Sequence, residues 1–194
     1  MAVEAVVFDI GETLVDETRL WESAADAVGV PRFTLMGVLG GLAARREPHT
    51  RVWEILGAPQ RQGAFEHLDF YLDAVPCLQR LRGSYRLGAV GNTGAETEEL
   101  LRPFVDFVDF VGSSARWGVE KPAPEFFARV AAETGLAPEK IAYVGDRVDN
   151  DVEPALAAGM VAVHLRRGPW GYLQEPPDGA MRIRSLDELP AALR

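Results

Sequence analysis

The sequence has few lysines and cysteines, no long basic run and no long apolar run. Lys121 and Lys140 are the only lysines among 20 basic residues, and the others are arginines. The net charge is −9 and the longest basic runs are two arginine pairs, so we predict no basic face of the kind that binds nucleic-acid phosphates. The single Cys77 excludes an internal disulfide. No apolar run approaches the roughly 18 residues that a membrane-spanning helix needs.

The chain is long and apolar enough for a globular protein. Its 194 residues are 47% hydrophobic, which favours one domain, or one domain with an inserted module. The acidic Glu4 and the apolar run at 5–8 come almost at once, unlike the start of a signal peptide. We therefore expect a cytoplasmic protein with no nucleic-acid or membrane partner. The sequence does not indicate its oligomeric state.

Short apolar runs that end in small or acidic residues indicate strands buried on both faces of a parallel sheet. Amphipathic helical patterns follow two of these runs, at 95–105 and 151–159. The alternation predicts an α/β fold, a Rossmann-like doubly wound parallel sheet. The tail at 179–194 predicts a last short strand and a closing helix. The predicted inner strands lie at 5–9, 86–94, 141–146 and 161–165.

About seventy residues separate the first two predicted strands, far more than one crossover helix requires. Residues 16–72 have several helical patterns with glycine and proline between them. We interpret them as a small α-helical cap inserted after strand 1, with residues 1–15 and 73–194 forming the core domain. A long excursion of the core itself is the alternative.

Polar residues stand where the predicted strands end. Asp9 ends the first strand, the turn GNTG at 91–94 ends the second, and Asp146 ends the third. Ligands of open α/β sheets bind beyond the carboxyl ends of the strands, so these residues are expected to converge. Asp146, Asp149 and Asp151 are close enough to repel one another, and a hard cation such as Mg²⁺ would neutralise them. For Asp149 we favour a helix N-cap.

Lys121 is the second feature of the predicted site. Pro122 and Pro124 mark the start of a helix directly after it. An exposed lysine is the ordinary interpretation, but this chain otherwise uses arginine almost throughout. A compact point charge that reaches both a carboxylate and a phosphate is a reason for the exception.

The segments FDIGETL, VGNTG, KP and VGDRVDND occur in an order and spacing that resembles the haloacid dehalogenase-like hydrolase superfamily. The resemblance covers the whole chain and includes a helical cap after the first motif. It implies phosphoryl transfer from a small phosphorylated molecule to Asp9, followed by hydrolysis. It also implies that Lys121 steadies the nucleophile and, with Gly91 and Asn92, binds the phosphoryl group.

The same resemblance implies a Mg²⁺ site. Asp9 would be a ligand as well as the nucleophile, and Gly11 would offer its backbone carbonyl. Asp146 would be the remaining protein ligand, with Asp151 supporting it or binding through water.

Two positions depart from the pattern of the family's phosphatases. Gly11 stands where they carry a second aspartate that acts as general acid and base, a role worth roughly 10²–10⁴ in rate. Glu12 is the nearest substitute, although the adjacent position is expected to point elsewhere. Gly91 stands where a serine or threonine usually precedes the asparagine. Thr93 would supply a hydroxyl, but a capping box over 93–96 is the interpretation we favour.

These departures leave three functional hypotheses. The leading one is a Mg²⁺-dependent phosphatase, slowed by the missing aspartate. A 2-haloacid dehalogenase-type enzyme is the second, because those relatives also lack that aspartate and need no metal. A non-catalytic phosphate-binding or regulatory module is the third.

Overall fold

A computed structural model describes residues 2–61, 69–94 and 106–194 and contains a six-stranded parallel sheet within them. The order of its strands is β3-β2-β1-β4-β5-β6, with every neighbouring pair parallel. This confirms the Rossmann-like α/β fold. The strands are β1 Ala5–Phe8, β2 Arg86–Gly91, β3 Phe110–Ser113, β4 Ile141–Gly145, β5 Val161–Leu165 and β6 Met181–Ile183.

Strand β1 lies in the centre of the sheet and is buried on both faces. Val6 and Phe8 pack into one apolar cluster, and Ala5 and Val7 pack into another. All four side chains are inaccessible to solvent, which explains the unbroken apolar run. Burying an apolar side chain of the size of valine or phenylalanine contributes roughly 1.5–3 kcal/mol. This strand therefore fixes the position of whatever follows it.

Helices cover both faces of the sheet. Helices α4 (Ala74–Leu81) and α9 (Leu189–Ala192) contribute to the cluster around Phe8, whereas α6 (Pro124–Thr134) and α7 (Glu153–Ala157) contribute to the cluster around Val7. The predicted last strand and closing helix are β6 and α9. Two further short helices are α5 (Ser114–Trp117) and α8 (Gly168–Leu173), and Val148–Val152 form a π-helical turn.

Three helices follow β1 in the part of the chain predicted as a cap. They are α1 (Thr18–Val28), α2 (Arg32–Ala44) and α3 (Arg51–Leu56). They form an apolar cluster that also includes Trp170 of α8. Among the described residues no single helix is long and apolar enough to cross a membrane, and α1 and α2 reach that length only when joined across a bend of 119°. The division into core and cap stays a prediction.

Strand β3 is the element that the sequence pattern did not indicate. It pairs with β2 at the edge of the sheet, and its first two residues, Phe110 and Val111, are only half-buried. Asp109 interrupts the apolar pattern just before it and accepts a hydrogen bond from the Leu87 N–H (2.7 Å). The helix predicted at 95–105 lies outside the described residues.

Candidate active site

Asp9 and Asp146 lie side by side at the carboxyl edge of the sheet. They follow β1 and β4, which are adjacent strands with Phe8 opposite Val144. The Asp9 N–H donates to the Val144 carbonyl (2.8 Å), which extends the pairing by one residue. Both side chains are buried, with 7% and 1% of the residue exposed. The structure thus brings together the two carboxylates that the strand ends predicted.

The π-helical turn returns Asp151 to the same place. Its backbone N–H donates to the Arg147 carbonyl, and its Oδ2 accepts from the Arg147 N–H (3.2 Å). The turn passes so close to β4 that a Cβ atom at Gly145 would lie 2.6 Å from the Asp151 Cβ. Glycine at 145 is therefore required for Asp151 to join the cluster.

Asp149 has a different role from the one predicted. It forms a two-pronged ion pair with Arg147, at 3.1 Å from Nε and 2.9 Å from Nη2. It does not cap a helix, because the turn begins at Arg147 without a side-chain cap. The N-cap interpretation of Asp149 was wrong, since the neighbouring guanidinium offers its carboxylate a stronger partner than backbone N–H groups do.

Lys121 joins the carboxylates of Asp9 and Asp151. Its Nζ lies 2.6 Å from the Oδ1 of each, and only 4% of the residue is exposed. Asn92 holds the lysine backbone through two bonds: its Oδ1 accepts from the Lys121 N–H (2.7 Å) and its Nδ2 donates to the Lys121 carbonyl (2.9 Å). The Asn92 side chain therefore positions Lys121 in this structure, and a direct role in phosphate binding stays a prediction.

The cluster has more negative than positive charge. Burial raises the pKa of Asp146 well above its usual value, and the carboxylates of Asp151 and Asp9 raise it further. Burial and the charge of Asp9 raise the pKa of Asp151 to about 6, against the opposing effect of Lys121. Burial acts to lower the pKa of Lys121, but the two carboxylates outweigh it, so that pKa is raised and the ammonium stays charged.

The cluster fits a divalent cation. One oxygen from each of Asp9, Asp146 and Asp151 lies within 4.8 Å of the others. Within the described part of the chain, the buried Oδ2 of Asp146 has no hydrogen-bond partner. A buried carboxylate oxygen left unpaired is costly. Because Mg²⁺ prefers oxygen ligands, a cation bound here would give this atom a partner. Both oxygens of Asp151 are already engaged, which suits a supporting role, and the predicted contribution of the Gly11 carbonyl stays a prediction.

Gly91 borders Asp9 at the end of β2. A Cβ atom at this position would lie 3.3 Å from the Asp9 Oδ1 and 3.2 Å from the Ile10 Cδ1. The Thr93 Oγ1 is buried and has no partner among the described residues. The capping box predicted for Thr93 requires Glu96, which lies outside those residues. The structure therefore places the GNTG turn beside Asp9 as expected.

Glu12, the nearest substitute for the missing aspartate, is hydrogen-bonded to groups of the loop and of Tyr71. Its backbone has a φ of +52° and only 7% of the residue is exposed. The Oε1 accepts from the Glu17 N–H (2.8 Å), and the Oε2 accepts from the Tyr71 hydroxyl (2.6 Å). Burial raises its pKa despite both bonds. Its carboxylate holds the loop after β1 together.

Glu17 is a site residue that sequence reasoning missed. Its side chain lies over Gly11, where a Cβ atom would be 2.8 Å from the Glu17 Cδ and closer still to the Oε1. The Oε2 accepts from the indole N–H of Trp21 (3.2 Å). Burial, followed by the negative charge of Glu12, raises the pKa of Glu17 to about 7, and Asp9 adds to the effect. The sequence signal that could have indicated Glu17 was a glycine at position 11 followed by an acidic residue just before a helix.

Aromatic side chains lie next to this carboxylate. His49 packs edge-on against Trp21 and Trp170. Burial lowers its pKa, which favours the neutral imidazole. The guanidinium of Arg147 stacks on Trp170, 5.1 Å from the ring centroid.

Comparison with known proteins points to one family of enzymes. A family model described as haloacid dehalogenase-like hydrolase matches residues 3–159. A protein of Methanopyrus kandleri named glyceraldehyde 3-phosphate phosphatase is 42% identical over 118 residues, which are 59% of this chain and 51% of that protein. A protein of Pyrococcus abyssi with the same name is 30% identical and covers 86% of this chain and 82% of its own.

The fold comparison agrees. The crystal structure of a HAD phosphatase from Thermococcus onnurineus superposes with a TM-score of 0.67 at 23% identity, covering 98% of each chain. At that identity the likeness concerns the fold alone. The chain spans about half the length of the first two curated relatives that it matches, 51% and 54%.

Proposed function

Because the chain belongs to the haloacid dehalogenase-like hydrolase family, we propose that it is a phosphatase of small phosphate monoesters. Asp9 is the nucleophile, and Mg²⁺ is the cofactor, held by Asp9 and Asp146 with Asp151 in support. The observation that carries the proposal is Lys121 between two buried carboxylates, beside a third whose Oδ2 has no partner among the described residues. That arrangement suits a cation and a phosphoryl group together.

The residues act in two steps. An oxygen of Asp9 attacks phosphorus, and the ester P–O bond breaks with its electron pair on the departing oxygen. Water then attacks the same phosphorus, which releases phosphate and restores the Asp9 carboxylate. Lys121 keeps Asp9 in position and balances the negative charge of the phosphoryl oxygens. When bound, Mg²⁺ supplies further positive charge that neutralises the carboxylates and polarises the phosphoryl group.

The substrate class follows from the relatives. Several curated relatives are named glyceraldehyde 3-phosphate phosphatase, so a three-carbon phosphate is the first substrate to test. Helices α1 to α3 and the aromatic group around His49 are the part of the chain that we propose selects such a substrate. The specificity of this chain is part of the proposal.

A dehalogenase-type reaction is the second candidate, and Gly11 favours it. A departing halide needs no protonation, so the missing aspartate would not slow the departure of the halide in such an enzyme. Against it stand the three clustered carboxylates and the unpartnered oxygen of Asp146 within the described residues. A non-catalytic role is opposed by the geometry of Lys121, whose ammonium contacts the proposed nucleophile directly.

A screen of purified protein separates these possibilities. We expect hydrolysis of 4-nitrophenyl phosphate and of glyceraldehyde 3-phosphate with Mg²⁺ and none with EDTA. Asp9→Asn should abolish turnover, whereas Asp26→Asn, which changes an exposed carboxylate on α1, should not. Halide release from a 2-haloacid without metal would replace the proposal with the dehalogenase. Binding of phosphate esters without turnover of any would replace it with the non-catalytic module.

A further inference from the structure

The loop between β1 and α1 places one carboxyl where the residue at position 11 would place another. Position 11 follows Asp9 by two residues in the loop that leaves β1. Gly11 has no side chain, and the Glu17 carboxyl fills the space, with its Cδ 2.8 Å from the Cβ position of residue 11. The two positions cannot both hold a carboxyl there unless one moves.

Glu17 is held in that place from two sides. Its backbone N–H donates to the Glu12 Oε1 (2.8 Å), which fixes the start of α1 against the loop. Its Oε2 accepts from the indole N–H of Trp21, one helical turn further along (3.2 Å). The second oxygen, Oε1, is the one nearest to Gly11.

Glu12 does not compete for this role. Tyr71 and the Glu17 N–H take one carboxylate oxygen each. A Cβ atom at Gly168 would lie 2.8 Å from the Glu12 Cγ, so Glu12 packs against the loop that begins α8. Glu17 is the described carboxyl that both lies over Gly11 and has an oxygen turned towards it.

We propose that Glu17 is the general acid and base of this site, in place of the aspartate that position 11 lacks. The proposal rests on the phosphatase function proposed above. In the first step the protonated Glu17 carboxyl gives its proton to the departing ester oxygen, so the alcohol leaves neutral and Glu17 becomes a carboxylate. In the second step that carboxylate takes a proton from the attacking water as the bond between phosphorus and the Asp9 oxygen breaks. Glu17 is protonated again at the end of the cycle.

The dependence on the leaving group tests this role. Glu17→Gln keeps the size of the side chain and an oxygen that accepts from Trp21. In a single turnover, we expect it to slow the release of glycerol from glycerol 3-phosphate, a poor leaving group, by about 10²–10⁴. It should slow the single-turnover release of 4-nitrophenol by less than about tenfold, because that leaving group departs without a proton. The later hydrolysis of the Asp9 phosphoryl group should slow equally for both substrates. Glu22→Gln on the same helix, an exposed partner of Arg32, should change neither.

A rescue experiment separates catalysis from packing. Glu17→Ala removes the carboxyl, and adding Gly11→Asp in that background supplies one from the other position. We expect the double variant to recover at least about tenfold of the lost activity on glycerol 3-phosphate. Gly11→Asp alone should lower the Tm more in the parent than in the Glu17→Ala background, by about 2–4 °C, because only the parent has the clash.

The results of these two experiments either support or overturn the proposed role of Glu17. Equal losses in the single-turnover release of the two leaving groups for Glu17→Gln, or no loss in either, would overturn the acid role, and an unchanged rate of hydrolysis of the Asp9 phosphoryl group would overturn the base role. An equal Tm effect of Gly11→Asp in both backgrounds would overturn the shared space. If the parent hydrolyses no phosphate ester, the phosphatase function and the role of Glu17 both fall, whereas a parent that works with Glu17→Gln unimpaired refutes Glu17 alone.

Discussion

The two sides of the candidate site are built in different ways. On one side is the strand-edge cluster, which consists of Asp9, Lys121, Asp146 and Asp151. All four residues are buried, and the lysine bonds two of the acids directly. On the other side is the post-strand loop, residues 10–17, where Glu17 is half-buried and bonds a helix that belongs to the predicted cap.

The difference follows from the support that each side receives. In the strand-edge cluster, Asp9 and Asp146 are fixed by neighbouring strands whose hydrogen bonds continue up to the Asp9 N–H. The π-helical turn holds Asp151 and the Asn92 side chain holds Lys121, so the charges are held before any ligand arrives. In most enzymes such preorganised charge stabilises the transition state more than any other single effect. The post-strand loop is supported by side chains, and so a carboxyl can be supplied from more than one position. We infer that the sheet fixes the position of the proposed nucleophile and of the charges around it. The carboxyl that transfers protons can instead come from different positions of the loop.

Lys121→Met tests the strand-edge cluster most severely. It leaves Asp9 and Asp151 buried and without their shared cation, a change that typically costs about 3–5 kcal/mol in the free energy of unfolding. Activity should be lost as well, since Lys121 contacts Asp9, the proposed nucleophile. The measurement is denaturant unfolding in EDTA together with the rate on 4-nitrophenyl phosphate.

The other lysine is the matched control. Lys140 pairs with Glu4 at the surface, where both side chains are exposed. Lys140→Met should leave both activity and stability nearly unchanged, because exposed ion pairs contribute little. If the two lysine variants were equally stable, the cluster would not be held by Lys121, and the contrast between the two sides of the site would be lost.

Asp146→Asn should have a smaller effect of the opposite sign on the metal-free protein. Because burial and like charges raise the pKa of Asp146 in the fold, its ionised form destabilises the folded state. The contribution of this carboxyl to stability is full below the unfolded pKa near 3.8 and is lost as the pH rises through the folded pKa. In EDTA at pH 8 the variant should therefore have a higher Tm than the parent, by about 2–4 °C for each kcal/mol gained.

Addition of Mg²⁺ should reverse the order of the Tm values of the parent and Asp146→Asn. The parent should gain Tm on addition of Mg²⁺, whereas Asp146→Asn should gain little, because the unpartnered oxygen has been removed. Asp149→Asn is the control, since Asp149 is paired with Arg147 and its loss should not raise the metal-free Tm. A parent whose Tm in EDTA is the same at pH 5 and pH 8 would contradict the charge imbalance of the strand-edge cluster.

The strand-edge cluster was largely predictable from the sequence. Parallel strands place their carboxyl ends along one edge, so the strand pattern alone predicts that Asp9 and Asp146 meet. The rarity of lysine singled out Lys121 in the same way. These inferences succeeded because backbone geometry alone decides where the ends of buried strands lie.

The post-strand loop was not predictable to the same degree. The side chain of Glu17 reaches Gly11 only because α1 begins where it does and the Trp21 indole donates to its carboxylate, and a sequence pattern carries neither fact. The contact of Asn92 with the Lys121 backbone joins positions 29 residues apart, and β3 lies at a sheet edge where the apolar pattern is weak. Each depends on tertiary contacts, which local patterns do not record.

Gly91 lies between the strand-edge cluster and the post-strand loop, and its substitution is expected to have the smallest effect. Gly91→Ser restores the hydroxyl usual in the family and places it beside Asp9, since the Cβ would lie 3.3 Å from the Asp9 Oδ1. Its neighbours must shift by a few tenths of an ångström, so Gly91→Ala serves as the control for packing. One hydrogen bond to a charged phosphate oxygen is worth about 1.5–3 kcal/mol, so serine should lower the KM by about tenfold or more relative to alanine. If serine and alanine gave the same KM, the GNTG turn would not contact the phosphate, and phosphate binding would rest on Lys121 and the cation alone.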